Sequence, residues 1–141
     1  NYRPNAFAMS LRKNAPRIIG VMVPDFDTHF VASILNGIEN MAIANGYFVI
    51  ITTSHESYEH EKRNIENLVN MRVEGIIACL SQETTDFSHI SALKDINMPL
   101  ILFDRVCLTD QFSSVIADGA QSAQMATQHL LDNGSKRVDF I

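Results

Sequence analysis

The sequence predicts an α/β fold in which helices cover both faces of a parallel sheet. Short runs rich in β-branched residues alternate with longer segments whose apolar residues recur every three or four positions. The alternation repeats about every 25 residues, which is the length of one strand followed by one helix. The first strand is apolar throughout, as is typical of strands buried on both faces. A doubly wound sheet with right-handed crossovers is therefore expected.

The first strand and helix form the unit around which the rest of the chain is arranged. The strand Arg17–Val23 stops at Pro24, and the following helix ends at Asn45-Gly46, a common helix stop. Either Asp27 or Thr28 can cap its start. The helix carries an i, i+3, i+4, i+7 series of apolar residues: Phe30, Val31, Ile34, Leu35, Ile38, Met41 and Ala42.

The later elements follow the same order of strand and helix. Further strands are predicted at Tyr47–Thr53 and at residues 73–80, 99–103, 113–117 and 137–141. Further helices are predicted at residues 56–71, 87–96 and 120–131. In the helix at residues 56–71, the apolar stripe consists of Ile65, Leu68, Val69 and Met71.

Composition and charge narrow the class of protein. The 141 residues are 46% hydrophobic and 19% charged, as in ordinary globular domains. No apolar run approaches the roughly 20 residues of a membrane span, and the N-terminal segment lacks the apolar core of a secretory signal, so a cytoplasmic protein is expected. Cys79 and Cys107 match no metal-ligand spacing, and we expect both to be buried, reduced thiols.

The charge of the chain is divided unevenly. Residues 1–17 contain four basic residues and no acid, whereas residues 18–141 contain seven basic and sixteen acidic residues. A short basic arm can approach phosphates, but the acidic remainder cannot bind nucleic acid through its overall charge. Within the arm, residues 4–12 are compatible with a short helix that ends before Pro16 and needs a partner to stay folded.

Motifs of catalysis are not found. The loop after the first strand has neither a dinucleotide-binding GxGxxG nor a phosphate-binding P-loop, and no GxSxG nucleophile elbow occurs. His55 and His60 lie five residues apart, so they would not share one face of a helix, and this spacing does not favour a metal site. Asp104 and Asp118 each end a strand and could do acid/base work at one rim, but binding polar groups is the simpler role. We expect no enzyme, cofactor or metal.

Five segments, taken in order, carry a family resemblance. They are Tyr2-x-Pro4-Asn5-x-x-Ala8-x-Ser10-Leu11-Arg12, Ile19-Gly20-Val21-x-Val23-Pro24-Asp25, Arg72-Val73-x-Gly75-Ile76-Ile77, Pro99-x-x-x-Phe103-Asp104-Arg105 and Gly134-x-Lys136-Arg137-Val138-x-Phe140-Ile141. In this order and spacing the set resembles the LacI/GalR family of bacterial transcription repressors.

The resemblance implies a division of the chain. Residues 1–15 are expected to be a hinge segment with a short helix, and residues 16–118 the first effector-binding lobe, of the type I periplasmic-binding-protein-like kind. Residues 119–141 are then the start of an incomplete second lobe. Because a helix-turn-helix is expected before Tyr2 and most of the second lobe after Ile141, we expect a fragment of a longer protein, or an unstable product that associates through exposed apolar surface.

The resemblance also implies two sets of site residues. In the hinge, Leu11 would wedge between base pairs of operator DNA. The usual arginine of the hinge pattern is replaced by Met9, which should weaken contact with DNA. The hinge set comprises Asn5, Ala8, Ser10, Leu11 and Arg12. The effector set comprises Phe26, Asp27, His29, Phe30, Asp104, Arg105 and Asp118, whose aromatic faces, carboxylates and guanidinium suit a sugar.

The leading hypothesis is therefore a homodimeric repressor whose small-molecule effector, a sugar or a similar molecule, binds between two lobes. Helices of the first lobe, particularly residues 56–71, are candidates for the dimer face. One alternative is a transport-type sugar-binding protein of the same fold. Another is a small α/β enzyme or receiver-like domain in which Asp25, Asp104 and Asp118 form a magnesium rim. A non-functional truncated chain is the last alternative.

Overall fold

The computed structural model describes residues 17–135 and 137, and within this part strands and helices alternate. The elements are β1 (Arg17–Val23), α1 (His29–Ala44), β2 (Tyr47–Thr53), α2 (Tyr58–Asn70), β3 (Gly75–Ala78), α3 (Ser88–Asp95), β4 (Leu100–Phe103), β5 (Ser113–Val115) and α4 (Gly119–Asp132). The predicted sixth strand at residues 137–141 and the predicted hinge segment lie outside the described residues, apart from Arg137.

The described strands form one parallel sheet in the order β2-β1-β3-β4-β5. The chain winds in one direction from β1 to β2 and in the other from β1 through β3 to β5. Helices consequently lie on both faces, and the predicted doubly wound α/β fold is confirmed. The winding reverses between β1 and β3, which is the position where open α/β sheets bind their ligands.

Strand β1 is hydrogen-bonded on both sides and anchors the sheet. It pairs with β2 along its whole length, from Arg17 opposite Tyr47 to Val23 opposite Thr53. At its beginning, the Arg17 guanidinium carbon lies 3.9 Å from the centre of the Tyr47 ring and its Nε lies 3.4 Å from Glu74 Oε2. These contacts fasten the first described residue to β2 and to the turn before β3.

Two apolar cores lie on opposite faces of the sheet. Under α2 and α3, the larger core includes the fully or almost fully buried residues Met22, Ile65, Leu68, Ile76, Ile90, Leu93 and Leu102. Under α1, the smaller core consists of Val21, Val23, Cys79 and Phe103, with Val31, Ile34, Leu35 and Ile38 packed against it. Cys79 and Cys107 are free and buried, as predicted.

Three residues predicted in apolar helix stripes are exposed. Phe30 and Met41 are 56% and 67% exposed because they lie about 80–100° around α1 from the centre of its buried stripe. Met71 is 53% exposed because α2 ends at Asn70. The start predicted for that helix, residue 56, was also wrong, since His55 and Glu56 have φ angles of 52° and 58° that a right-handed helix does not admit.

Other boundaries differ by a few residues. The strand predicted at residues 73–80 is shorter, since it pairs only from Gly75 to Ala78, and the one predicted at residues 113–117 ends at Val115. Helix α4 agrees with the predicted helix at residues 120–131, but none of its residues is buried.

A buried carboxylate joins α2 to the loop between β3 and α3. Glu61 is fully buried and accepts hydrogen bonds from Ser81 N at 2.5 Å, Thr84 Oγ1 at 2.9 Å and His89 Nε2 at 2.9 Å. Burial alone raises the pKa of Glu61, but these hydrogen bonds outweigh it and hold the pKa below its ordinary value of 4.5. The folded state therefore favours the charged carboxylate.

This network predicts a dependence of stability on acid. Because the folded-state pKa of Glu61 lies below 4.5, its contribution is present at neutral pH and is lost as the pH falls from 4.5 through the folded-state pKa. Replacing Glu61 with Gln should lower the free energy of unfolding at pH 7 by about 3 kcal/mol, because three buried or partly buried donors lose a charged acceptor. The difference between the two proteins should shrink below pH 4.

Urea denaturation followed by circular dichroism between pH 3 and pH 7 measures both quantities. Glu59→Gln is the matched control, since Glu59 is exposed on the same helix. An E61Q protein that keeps the wild-type dependence on pH would contradict the assignment.

Candidate functional site

The candidate site lies at the edge of the sheet where its parallel strands end. The seven effector residues predicted from the sequence all belong to segments that follow a strand at this edge: Phe26, Asp27, His29 and Phe30 after β1, Asp104 and Arg105 after β4, and Asp118 after β5. The local structure divides them into three groups with different surroundings.

The segment after β1 presents two aromatic rings to solvent. Phe26 and Phe30 are 50% and 56% exposed. Thr28 rather than Asp27 caps α1, since Thr28 Oγ1 accepts a hydrogen bond of 3.2 Å from Val31 N. His29 lies in the first turn, with Nδ1 3.3 Å from Ser33 Oγ. Exposed rings beside an acidic loop can stack on one face of a ligand and accept hydrogen bonds from its edge.

A groove of about 460 Å³ begins beside this segment and runs between α1 and strands β3, β4 and β5. Two of the predicted residues, Phe30 and Asp104, line it together. The remaining lining is apolar and was not predicted as part of a site: Ile34, Ile38, Ile77, Ile101, Phe103, Val115, Ile116 and Ala117. The sequence signal for this apolar lining was the unbroken apolar run of β4. Part of that lining stays uncovered because α1 covers only part of this sheet face.

Arg105 is held by a carboxylate that the sequence did not indicate. Its Nη1 donates to Glu56 Oε2 at 2.6 Å and its Nη2 to Glu56 Oε1 at 2.9 Å, while Nη1 also donates to the Leu80 carbonyl at 3.1 Å. The hydrogen bond to Arg105 lowers the pKa of Glu56, and the same bond raises that of Arg105. Glu56 was overlooked because it was assigned to a helix, although it also follows a strand at this edge.

Asp104 and Asp118 have different surroundings. Asp104 has a φ of 60°, and its Oδ2 lies 4.0 Å from Cys79 Sγ, whose pKa is raised by burial. Asp118 caps α4, since its Oδ1 accepts a hydrogen bond of 2.8 Å from Gln121 N. The groove therefore includes Asp104, whereas the Asp118 carboxylate is occupied by a helix end.

Neither a metal-binding cluster nor a membrane-spanning helix occurs among the described residues. In residues 17–135 and 137 there is no group of three or more His, Cys, Asp or Glu side chains that could hold a metal ion. The His55 and His60 rings meet edge to face with centroids 6.3 Å apart. Within the same part of the chain, no helix is long and apolar enough to cross a membrane. The predicted hinge residues Asn5, Ala8, Ser10, Leu11 and Arg12 lie outside it.

A parallel sheet of order 2-1-3-4-5, with exposed aromatic and carboxylate side chains where the winding reverses, is the architecture in which open α/β proteins place a ligand site. Residues 17–141 match the family of periplasmic binding proteins and sugar binding domains of the LacI family, and the chain belongs to this family. The resemblance found in the sequence is thereby confirmed.

Relatives and solved structures agree with this assignment. The chain is 33% identical over 140 residues to catabolite control protein A of Priestia megaterium, covering 99% of this chain and 42% of that protein. The lac repressor dimer bound to operator and the anti-inducer ONPF superposes with a TM-score of 0.78 at 25% identity, covering 97% of this chain and 48% of that one.

A periplasmic binding protein/LacI transcriptional regulator of Alkaliphilus metalliredigens, complexed with D-xylulofuranose, superposes with a TM-score of 0.67 at 29% identity, covering 86% and 43% of the two chains. The chain thus spans about 42% of the length of the curated relatives it matches.

The geometry at Asp118 yields a prediction that separates the capping role of its side chain from an effect of its charge. Asp118→Ala should lower the stability of the protein by about 1 kcal/mol, because the first turn of α4 loses its acceptor. Asp118→Asn should retain nearly all the stability, because asparagine caps helices equally well. Thermal unfolding of both variants measures the difference. Equal losses in the two variants would show that the charge, rather than the cap, matters.

Proposed function

We propose that this chain is the effector-binding part of a cytoplasmic DNA-binding transcriptional regulator, a repressor, controlled by a small sugar-like molecule. The observation that carries the proposal is the pair of exposed rings, Phe26 and Phe30, beside the carboxylates that follow β1 and β4 in a chain of this family. The effector binds between this lobe and a second one, and the residues on this side are those of the predicted effector set.

The chemistry of the effector segment suits a sugar. Sugars present an apolar face of C–H groups that stacks on aromatic rings, and an edge of hydroxyls that donates to carboxylates. Phe30 and Asp104 supply one group of each kind within the same groove. The relative complexed with D-xylulofuranose lends support, as does the regulator class of the catabolite control relative.

The proposal assigns residues 1–15 to a hinge that approaches operator DNA, residues 16–118 to the first lobe and residues 119–141 to the start of the second. Support comes from the basic N-terminal arm and from the likeness to the operator-bound lac repressor. In the hinge, Leu11 is the residue proposed to enter a base step. Effector binding alters the relation of the lobes and so the position of the hinge, which makes the two sites allosterically coupled.

Operator selection followed by ligand titration tests this function. The full-length protein should enrich a DNA sequence from a random library, and one sugar should change its affinity for that sequence at least about fivefold, the usual lower limit of allosteric coupling. Asp104→Asn should retain binding to DNA and lose the response to the sugar. Fluorescence anisotropy measures both. Sugar binding with no DNA selection would instead favour a transport-type binding protein.

We further propose a homodimer formed through the outer side of α1 and β2. Ile43 and Phe48 are each 65% exposed and line one groove together. Strand β2 is an edge strand of the described sheet, where apolar side chains are rarely left uncovered. This support favours the α1–β2 face over the helix predicted at residues 56–71, whose apolar residues Ile65 and Leu68 face the core.

Phe48→Glu should convert the dimer to a monomer, because a charge enters an apolar contact. Met71→Glu is the matched control, since Met71 is similarly exposed at the end of α2. Sedimentation velocity of the full-length proteins distinguishes the two states. Dissociation by M71E alone would instead place the contact on α2.

A further inference from the structure

The Glu56–Arg105 pair occupies only one edge of the guanidinium. Glu56 accepts from Nη1 and Nη2 with its two oxygens, at 2.6 and 2.9 Å, which is the end-on arrangement. The Leu80 carbonyl accepts from Nη1 at 3.1 Å, so that both N–H groups of Nη1 are used. Glu56 Oε2 also accepts from Gln82 N at 2.7 Å. One carboxylate thereby fixes Arg105 against the loop after β3.

A second edge of the guanidinium has no hydrogen-bond partner among the described residues. A guanidinium carries five N–H donors, and the contacts above use three of them. The two that remain, on Nε and Nη2, are parallel and lie in the guanidinium plane along one edge. The Arg105 side chain is 42% exposed, so its guanidinium is not enclosed by the protein. A fork of two parallel donors matches two adjacent oxygen atoms.

The charge around the fork decides which kind of oxygen atom can bind to its N–H donors. The segments that follow the strands at this edge, residues 24–28, 54–57, 79–87, 104–107 and 116–118, contain seven carboxylates and a single Lys or Arg, namely Arg105. Hydrogen bonds hold the pKa of Glu56 and of Asp86 below the ordinary values, so both are ionised at neutral pH. The excess of negative charge would repel a phosphate, whereas it would not repel a pair of neutral hydroxyls.

The backbone conformation of Glu56 indicates that its contacts hold this residue in place. His55 and Glu56 are consecutive non-glycine residues with φ angles of 52° and 58°. Such conformations are unfavourable for L-residues and persist where the surrounding structure fixes them. At Glu56 these contacts are the hydrogen bonds to Arg105 and to Gln82 N.

We propose that Glu56 is a positioning residue that turns the free edge of Arg105 toward the effector, and that the effector is an uncharged polyol whose adjacent hydroxyls accept from this edge. The inference rests on the proposed function and specifies the ligand class at the same site. Glu56 has two effects. It orients the donor fork, and its charge adds to the field that rejects phosphorylated sugars.

The experiment compares matched ligands on matched variants. Common pentoses, hexoses and disaccharides, each beside its monophosphate, are titrated into the full-length wild-type protein by isothermal calorimetry. The tightest pair is then titrated into Glu56→Gln, Arg105→Lys and the control Glu59→Gln. Glu59 is an exposed carboxylate three residues along the chain from Glu56.

The wild type should bind the uncharged sugar more tightly than its phosphate, and E59Q should behave like the wild type. In E56Q, affinity for the sugar should fall about tenfold, since a charged acceptor no longer orients the fork, while affinity for the phosphate rises. A purely structural role of Glu56 would lower both affinities in parallel. R105K should lose sugar binding because an ammonium cannot form the planar fork.

Three results would overturn the inference. Tighter binding of the phosphate by the wild type, or a parallel loss of both ligands in E56Q, would do so while leaving the regulator function intact, because operator selection and the sugar response are measured separately. Binding of no member of the panel would overturn both the inference and the proposed sugar effector.

Discussion

The buried carboxylate of Glu61 holds together the part of the molecule on which the candidate site depends. It joins α2 to Ser81 and Thr84 of the loop after β3 and to His89 of α3. A buried charge is stable only when hydrogen-bond donors surround it, so separating these segments would leave the Glu61 carboxylate without its partners. The next residue of the same loop, Gln82, contacts Glu56, and Glu56 holds Arg105. The position of the Arg105 guanidinium thus depends, through Gln82 and Glu56, on the buried carboxylate of Glu61.

The fold was largely predictable because burial imposes a period on the sequence. The continuous apolar run of β1 and the stripe of Ile65 and Leu68 indicated their elements and buried faces correctly. Phe30 and Met41 fit the same helical period and are nevertheless exposed, because periodicity gives the spacing of a stripe but not its width. The start of α2 was placed two residues early, since left-handed backbone at His55 and Glu56 has no signature in residues that are not glycine.

The candidate site was predictable at the level of segments and not of contacts. Parallel strands bring the segments after β1, β4 and β5 to one edge, so Phe30 and Asp104 could be expected near each other. Which carboxylate pairs with Arg105 depends on a separation of 49 residues that no local pattern encodes. The adjacent Asp104 instead has a positive φ and a carboxylate oxygen 4.0 Å from Cys79 Sγ.

Strand β1 also has a mechanical consequence. Its seven residues span about 23 Å, from the Arg17–Tyr47 contact at one edge of the sheet to the candidate site at the other. Because β1 is hydrogen-bonded to β2 along its whole length and to β3 from Ile19 to Met22, it is stiff along its axis. A displacement of the segment after Val23 along that axis is therefore passed to Arg17, the last residue of the basic arm.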